Sequence, residues 1–404
     1  MKILMLSATF PYPPTRGGTP IRTFNLLKYL SQRHPVTLVT QRSEDVTDEE
    51  IEQLGEYVDK LVIFPRPESE QTKTGTGAKI QRFGEFLLEG TPPSVRSIYS
   101  EAMQNWIDEW VNAGKCEAIT CEHSVNEIFV RPEWKHQLKT VVDVHSSVYG
   151  TIRQQLQTHT AEKPLRDRLN LPLLYRYEKR YCSKFSAIVV TTPEDRQQLI
   201  AFNPKARFET VPNGVDLDQF PPRRQDPGGH RLIFVGTMDY IANIDAARYF
   251  SLEVFPKLKQ RYPDATLALA GARPVPSVLE LTKIPGIEVT GRVPSMAEYL
   301  HQATVCIVPM RIGFGIKNKT LEAMAAGVPV VGSNSGLEGL AVDGPNVPLR
   351  ALRANTVEEY IDAISRLFED AQLRQKLSDQ GRTLIETEYT WERAGQRYEQ
   401  VLLA

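Results

Sequence analysis

Short runs rich in β-branched and other apolar residues recur along the chain, separated by longer stretches in which apolar positions return at helical spacing. The runs are KILMLSA, PVTLVT, KLVIFP, EAITC, TVVDVH and AIVVTT, then LIFVGT, ATLALAG, IEVTG, TVCIVPM and PVVG. Short continuous apolar runs alternating with helical segments predict parallel strands covered on both faces, so the fold class is α/β. Between Pro221 and His230 the sequence PPRRQDPGGH concentrates proline, glycine and charge, which predicts an exposed connection. Two doubly wound domains are therefore expected, at 1–222 and 223–385. The final stretch, TWERAGQRYEQVLLA, carries an apolar stripe at helical spacing and predicts a closing helix over 386–404 that packs back across the domains. In open parallel sheets ligands bind outside the carboxyl ends of the strands, so two such edges predict a central cleft.

Composition narrows the function. The 404 residues are 41% hydrophobic and 24% charged, which is ordinary for globular domains with substantial cores. Lysine plus arginine total 48 against 49 aspartate plus glutamate, a balance that argues against nucleic acid as the main partner. Cys116, Cys121, Cys182 and Cys306 form neither a CxxC pair nor a zinc-type spacing and read as reduced, buried thiols. The opening MKILMLSATFPYPP is too short and too interrupted for a signal-peptide core and reads as a first strand. No stretch approaches the ~20 apolar residues of a membrane span, so a cytoplasmic protein is expected.

The segment PMRIGFGIKNKTLEAMAAG, residues 309–327, carries the clearest chemistry. A buried strand ends in a glycine-bearing loop and a helix follows, the layout of an anion cradle. Gly313 and Gly315 permit close backbone approach, and the free N–H groups at the helix start point toward whatever fills the loop. Lys317 and Lys319 fall in the first turn, where the helix dipole disfavours cations unless an anion binds. Glu322 shares the face of Lys319 and can accept hydrogen bonds from ribose or sugar hydroxyls; a plain ion pair to Lys319 is the structural alternative.

With these residues in view, the chain resembles the family-four retaining glycosyltransferases of GT-B fold, two Rossmann-like domains facing a cleft. The resemblance is carried by TRGGTPIRTFNLLKYL, VPNGVDLDQF, FVGTMDYIANIDA, GRVPSMAEYLHQATVCIVPM and LEAMAAGVPVV. GTMDY, NID and GIKNKTLEAMAAG look closest to sugar transferases associated with exosortase and exopolysaccharide systems. The resemblance implies a nucleotide-sugar donor as co-substrate, no metal or other cofactor, and a glycan, lipid-linked or small-molecule acceptor. It assigns the donor diphosphate to Gly17 and Gly18, and the loop of Gly313, Phe314, Gly315 and Ile316, with Arg311, Lys317 and Lys319 around it, is expected to share that role. Gly236 is expected at the donor, Asp239 and Asn243 at the donor or the acceptor, the base near Gly271, Arg292 and Val293, and the ribose on Glu322. His145, at the end of VVDVHSS, falls where the family keeps a histidine beside the transferred sugar. His145, Lys319 and Glu322 are thus the catalytic candidates, and Arg22 and His123 are candidates for the acceptor, with Arg22 also a candidate for phosphate or for solvent.

Departures from the family pattern qualify this. Phe314 stands at the family's first carboxylate position, and Thr237 and Asn243 stand where relatives carry an arginine and a lysine. Relocation of positive charge to Arg311, Lys317 and Lys319 is the preferred explanation; loss of catalysis in a nucleotide-sugar-binding relative is the other. A sugar-nucleotide epimerase of the same architecture is the enzymatic rival. A metal-dependent transferase built on Asp216 and Asp218 is disfavoured, because both follow a Pro-Asn-Gly turn. A dehydrogenase is disfavoured because no GxGxxG follows the first strand. Residues 153–181, including RDRLNLPLLYRYEKR, mix leucine and tyrosine with basic residues; core packing with a charged outer face is the first reading, and peripheral contact with anionic lipid at the inner face of the plasma membrane is the second.

Overall fold

A computed structural model describes residues 1–404 except 15–16, 68–83, 146 and 159. The chain divides into two compact units, Met1–Pro212 together with Ala394–Ala404, and Asn213–Arg393. Each is a parallel sheet with helices between most successive strands, as the alternation of apolar runs requires.

The first unit contains β1 (Ile3–Ser7), β2 (Val36–Arg42), β3 (Lys60–Pro65), β4 (Ala118–Glu122), β5 (Lys139–Val144), β6 (Ala187–Val190) and β7 (Phe208–Thr210). Their spatial order is β3-β2-β1-β4-β5-β6-β7, and every pairing is parallel. The central strands β1, β4 and β6 are buried throughout, which is why they read as unbroken apolar runs. The order reverses at β1, so the connections leaving the carboxyl ends of β1 and β4 run to opposite sides and open a crevice there.

The second unit repeats the plan with β8 (Arg231–Val235), β9 (Thr266–Ala270), β10 (Ile287–Gly291), β11 (Val305–Val308), β12 (Val330–Gly332) and β13 (Leu352–Arg353). The order is β10-β9-β8-β11-β12-β13, again all parallel, with the switch between β8 and β11. Only β7 and β13 have no counterpart among the apolar runs, being three and two residues long.

The first unit ends at Pro212, short of the expected 222, because the following turn is tied into the second unit. Val215 N donates to Tyr389 O at 2.8 Å, Arg223 N to Ala326 O at 3.0 Å, and a Cβ on Gly214 would lie 2.3 Å from Trp391 N. The last helix, Trp391–Leu403, returns its residues from Ala394 onward to the first unit. Gly395 lets it press on the helix Gly18–Ser31, since a Cβ there would stand 2.1 Å from the Tyr29 ring. Glu399 accepts hydrogen bonds from Tyr29 Oη at 3.2 Å and from His34 Nε2 at 2.8 Å. All four cysteines are free and buried, and burial pushes the Cys116 thiol up to about 11 and Cys306 up to about 12. Among the described residues no helix is long and apolar enough to cross a membrane.

Candidate active site

In the second unit the loop leaving β11 runs into the helix Asn318–Ala325. Gly313 and Gly315 have φ of 112° and 72°, the left-handed region that disfavours any side chain, so both glycines are required by conformation. The helix starts without a side-chain cap and without an acidic residue in its first turn, leaving main-chain donors for a ligand. Phe314 is half-buried, whereas the Ile316 side chain belongs to the core, which leaves only its main chain for a donor.

The three cations expected around this loop are not equivalent. Arg311 is already paired with Asp245, to which Nε donates at 2.9 Å, and it stacks 4.8 Å from the Tyr249 ring centroid. Lys317, just before the helix, is buried; Nζ donates to the carbonyls of Gly313 and Gly315 and pairs with Glu338 at 3.1 Å. It braces the turn from beneath. Of the three, Lys319 alone has no carboxylate as an ion-pair partner among the described residues; its Nζ donates to Asn243 Oδ1 and lies 4.5 Å from the Phe234 ring centroid. If positive charge has moved to this loop, Lys319 is the cation left to supply it.

Burial pushes Lys319 down to about 7, against the opposing charge of Glu322. Burial likewise pushes Glu322 up to about 7, against Lys319, and no hydrogen bond within the described residues occupies that carboxyl. A lysine pushed down and a carboxyl pushed up thus stand in successive turns of this helix, as in sites with tuned acid and base chemistry.

The neighbouring strand ends shape this corner. Gly236, after β8, has no room for a side chain: a Cβ would lie 2.7 Å from Asn243 Nδ2 and 3.0 Å from Lys319 Nζ. Asn243 is locked by a 2.8 Å bond to Thr237 O. Gly271, after β9, has φ 148°, and a Cβ would fall 1.9 Å from Gly236 O, so the two strand ends touch through glycine backbone. Asp239 lies at the exposed rim paired with Arg273, which holds its carboxyl below the ordinary range. Arg292 is exposed and Val293 half-buried beyond β10. Asp216 Oδ1 accepts from the main-chain N–H groups of Asp218 and Gln219 at 2.9 and 3.2 Å, a turn rather than a cation site.

In the first unit, Gly17 precedes the helix Gly18–Ser31 without a side-chain cap. A Cβ on Gly18 would meet nothing within 4 Å, so neither packing nor strain explains glycine there. Arg22 differs from expectation: it is 1% exposed, and its guanidinium grips Asp143 through Nε at 2.6 Å and Nη2 at 3.0 Å. Solvent and acceptor contact are both ruled out for a guanidinium buried in that way.

Asp143 also accepts from His145 Nε2 at 3.2 Å. Burial alone would raise the Asp143 carboxyl; Arg22 first and His145 second outweigh it and hold it well below the usual range. Behind it, Glu122 Oε1 accepts from Thr120 Oγ1 at 2.8 Å and Tyr398 Oη at 3.0 Å, while Oε2 has no partner. Burial and the Asp143 charge push Glu122 up to about 8. His123 has φ 82°, its ring sits edge-on to His145 with centroids 5.1 Å apart, and its Nδ1 accepts from Val125 N at 3.3 Å. Burial and then His145 lower it to about 3, so it is neutral.

Glu122, Asp143 and His145 bring one ligand atom each within 4.8 Å of one another. The donor set does not suit a divalent ion: both Asp143 oxygens are bonded to Arg22, and Glu122 favours its protonated form. Sequence reasoning missed Asp143, Glu122, Asp245 and Glu338. A signal existed for Asp143, two positions before His145 on the same face of the strand; the others are partners only in three dimensions.

Comparison with known proteins places this arrangement. The fold is shared with Anabaena HepE in complex with UDP-glucose, at a TM-score of 0.65 and 13% identity over 100% of this chain and 99% of that one. It is shared equally with WaaG, a glycosyltransferase involved in lipopolysaccharide biosynthesis, at 0.64 and 13% over 99% of each. These are GT-B structures, so the two parallel-sheet units constitute a GT-B fold. Residues 16–219 match the family described as Glycosyltransferase Family 4 and residues 229–370 match Glycosyl transferases group 1. The chain belongs to glycosyltransferase family four. Among curated relatives, glycogen synthase of Mycobacterium tuberculosis is 26% identical over 213 residues, 49% of each chain. A GDP-mannose-dependent monoacylated alpha-(1-6)-phosphatidylinositol monomannoside mannosyltransferase of Corynebacterium glutamicum is 27% identical over 231 residues, 50% of this chain and 58% of that one. The alignments span about half the length of the curated relatives.

Proposed function

We propose that the chain is a retaining glycosyltransferase that moves a sugar from a UDP- or GDP-sugar to a glycan or lipid-linked acceptor, without a metal ion, in the cytoplasm and in exopolysaccharide or other glycoconjugate synthesis. The observation that carries this reading is Lys319 in the first turn of an uncapped helix with Glu322 in the turn that follows, beside a turn of two positive-φ glycines at the switch point between β8 and β11. In the transfer, the bond from the anomeric carbon to the diphosphate breaks and the bond to the acceptor oxygen forms on the same face. The acceptor proton passes to a leaving phosphate oxygen. Lys319 and the main-chain donors after Lys317 stabilise the charge that develops on the diphosphate, a contribution that elsewhere is worth on the order of 10²-fold per donor. Glu322 takes the ribose hydroxyls, and His145 a hydroxyl of the transferred sugar. The UDP-glucose bound by HepE and the GDP-mannose dependence of the mannosyltransferase support a nucleotide diphosphate sugar and leave both bases open.

Peripheral membrane contact is part of the proposal. The helix Pro164–Tyr181 buries Leu173, Leu174 and Tyr177, yet leaves Leu165 76% and Leu169 66% exposed beside Arg166, Arg168, Arg176 and Lys179. Exposed leucines among arginines suit an anionic lipid surface. Co-sedimentation with anionic liposomes that is the same for wild type and for charge-reversed Arg166 and Arg168 removes this part.

The test of the activity is a thermal-shift panel of UDP-glucose, UDP-N-acetylglucosamine, UDP-galactose and GDP-mannose with EDTA present, followed by turnover with glycan and lipid-linked acceptors. A donor at 100 times its Kd stabilises by about 2.7 kcal/mol, enough to register clearly. Nucleotide release only when acceptor is present supports transfer. Alteration of the donor sugar without acceptor identifies an epimerase instead, and donor binding without turnover identifies an inactive relative.

A further inference from the structure

The first unit contains a buried polar chain of which the proposed reaction uses only His145: Arg22 to Asp143 to His145, with His123 against the His145 ring. Asp143 lies on β5 and is 0% exposed. Arg22 reaches it from the helix that follows β1, with two donors that take both carboxylate oxygens. A planar guanidinium engaged in this way leaves the carboxylate one orientation. It also keeps Asp143 ionised, so Asp143 Oδ2 can only accept, and the hydrogen between it and His145 Nε2 belongs to the imidazole.

We infer that Asp143, clamped by Arg22, is a positioning residue that fixes His145 as the Nε2–H tautomer and so presents His145 Nδ1 as a hydrogen-bond acceptor to a ligand hydroxyl. Among the described residues nothing donates to that Nδ1. His123 completes the arrangement. Its Nδ1 accepts from Val125 N, so its own proton sits on Nε2, and the two rings together offer one acceptor and one donor. A hydroxyl both donates and accepts, and so matches this pair. The inference rests on the reading of His145 as the residue beside the transferred sugar, and it adds the reason that residue holds one protonation pattern.

The experiment is a two-bond proton–nitrogen correlation spectrum of the full chain labelled with ¹⁵N-histidine at pH 7.5, His145 being assigned by its absence in His145→Gln. Expected is a single neutral tautomer with protonated Nε2 and unprotonated Nδ1. An Nδ1–H tautomer, or an imidazolium with both nitrogens protonated, overturns the inference. The paired variant Arg22→Met with Asp143→Leu removes both charges at similar volume; it is expected to show mixed tautomers and, in the transferase assay, a loss of kcat on the order of 10²-fold at most with donor KM little changed. A variant that keeps the pure Nε2–H tautomer also overturns it. Should the variant fail to fold, the wild-type spectrum still decides. A wild-type spectrum as expected, with no change on adding any nucleotide sugar, leaves the positioning role standing and removes the sugar-facing reading of His145 instead.

Discussion

Replacing Glu122 by glutamine should leave the fold intact and make the first unit's stability less sensitive to pH. Glu122 is 0% exposed, its Oε1 takes both available hydroxyl donors, and Oε2 has none. Burial and the Asp143 charge carry its carboxyl from 4.5 up to about 8. Each tenfold in proton affinity is worth about 1.4 kcal/mol, so the fold prefers the neutral acid over the carboxylate by several kcal/mol. The sign follows from linkage. Between 4.5 and about 8 the folded chain holds a proton that the unfolded chain has lost, so this group's contribution is fully present below 4.5, declines as pH rises, and is gone above about 8. Glutamine reproduces the neutral acid: its amide oxygen accepts from Thr120 and Tyr398, and its NH2 replaces the acid proton. Urea unfolding at pH 5, 6, 7, 8 and 9, followed by tryptophan fluorescence, measures this, because Trp106, Trp110 and Trp134 of the four tryptophans belong to the first unit. The stability difference between Glu122→Gln and wild type should grow in favour of the variant from pH 5 to 8 and level off above. Other carboxyls titrate in both proteins and cancel in that difference. Parallel profiles, or a variant that loses stability at every pH by the same several kcal/mol, refute the reasoning.

Gly271→Ala places a methyl 1.9 Å from Gly236 O at a φ of 148°, so a lowered Tm and loss of nucleotide-sugar binding are expected; unchanged donor affinity by calorimetry contradicts the close approach of the two strand ends. Gly18→Ala meets nothing within 4 Å and occupies a helix start, so it should leave stability unchanged or raise it by about 0.4 to 1 kcal/mol, while transfer falls if the turn touches diphosphate. Lys319→Met should cost on the order of 10²-fold in kcat/KM, whereas the paired Arg311→Gln with Asp245→Asn should cost less than about 10-fold; equal losses refute the ranking of the cations. Near pH 7.5, binding of a nucleoside diphosphate should take up protons, because added negative charge raises both Lys319 and Glu322 from about 7; calorimetry in buffers of different ionisation enthalpy detects it, and proton release or no exchange contradicts it.

The fold was largely legible because its inner strands are buried on both faces, which forces continuous apolar runs where half-exposed strands alternate. β7 and β13, at the sheet edges, are too short to form such runs. The glycine turn was legible for a related reason: φ values of 112° and 72° strongly favour glycine. What could not be read was which cations are already neutralised. Arg22 and Asp143 are separated by 121 positions and Arg311 and Asp245 by 66, so no periodicity couples them. Lys317 and Lys319 look alike in the sequence, yet a step of two around a helix start sends one beneath the turn and leaves the other beside Asn243.

The two units handle buried charge in opposite ways, and the contrast bears on where chemistry belongs. In the first, Arg22 and Asp143 compensate each other, while burial and the Asp143 charge favour the protonated form of Glu122. In the second, Lys319 and Glu322 both sit near the midpoint of titration, and the larger cost of burial is unmet for either charge. A ligand that arrives with negative charge relieves that cost at Lys319 and makes the site cationic only when occupied. A charge completed by the ligand suits transfer from a diphosphate, because the group that leaves with two phosphates must be stabilised as its charge develops.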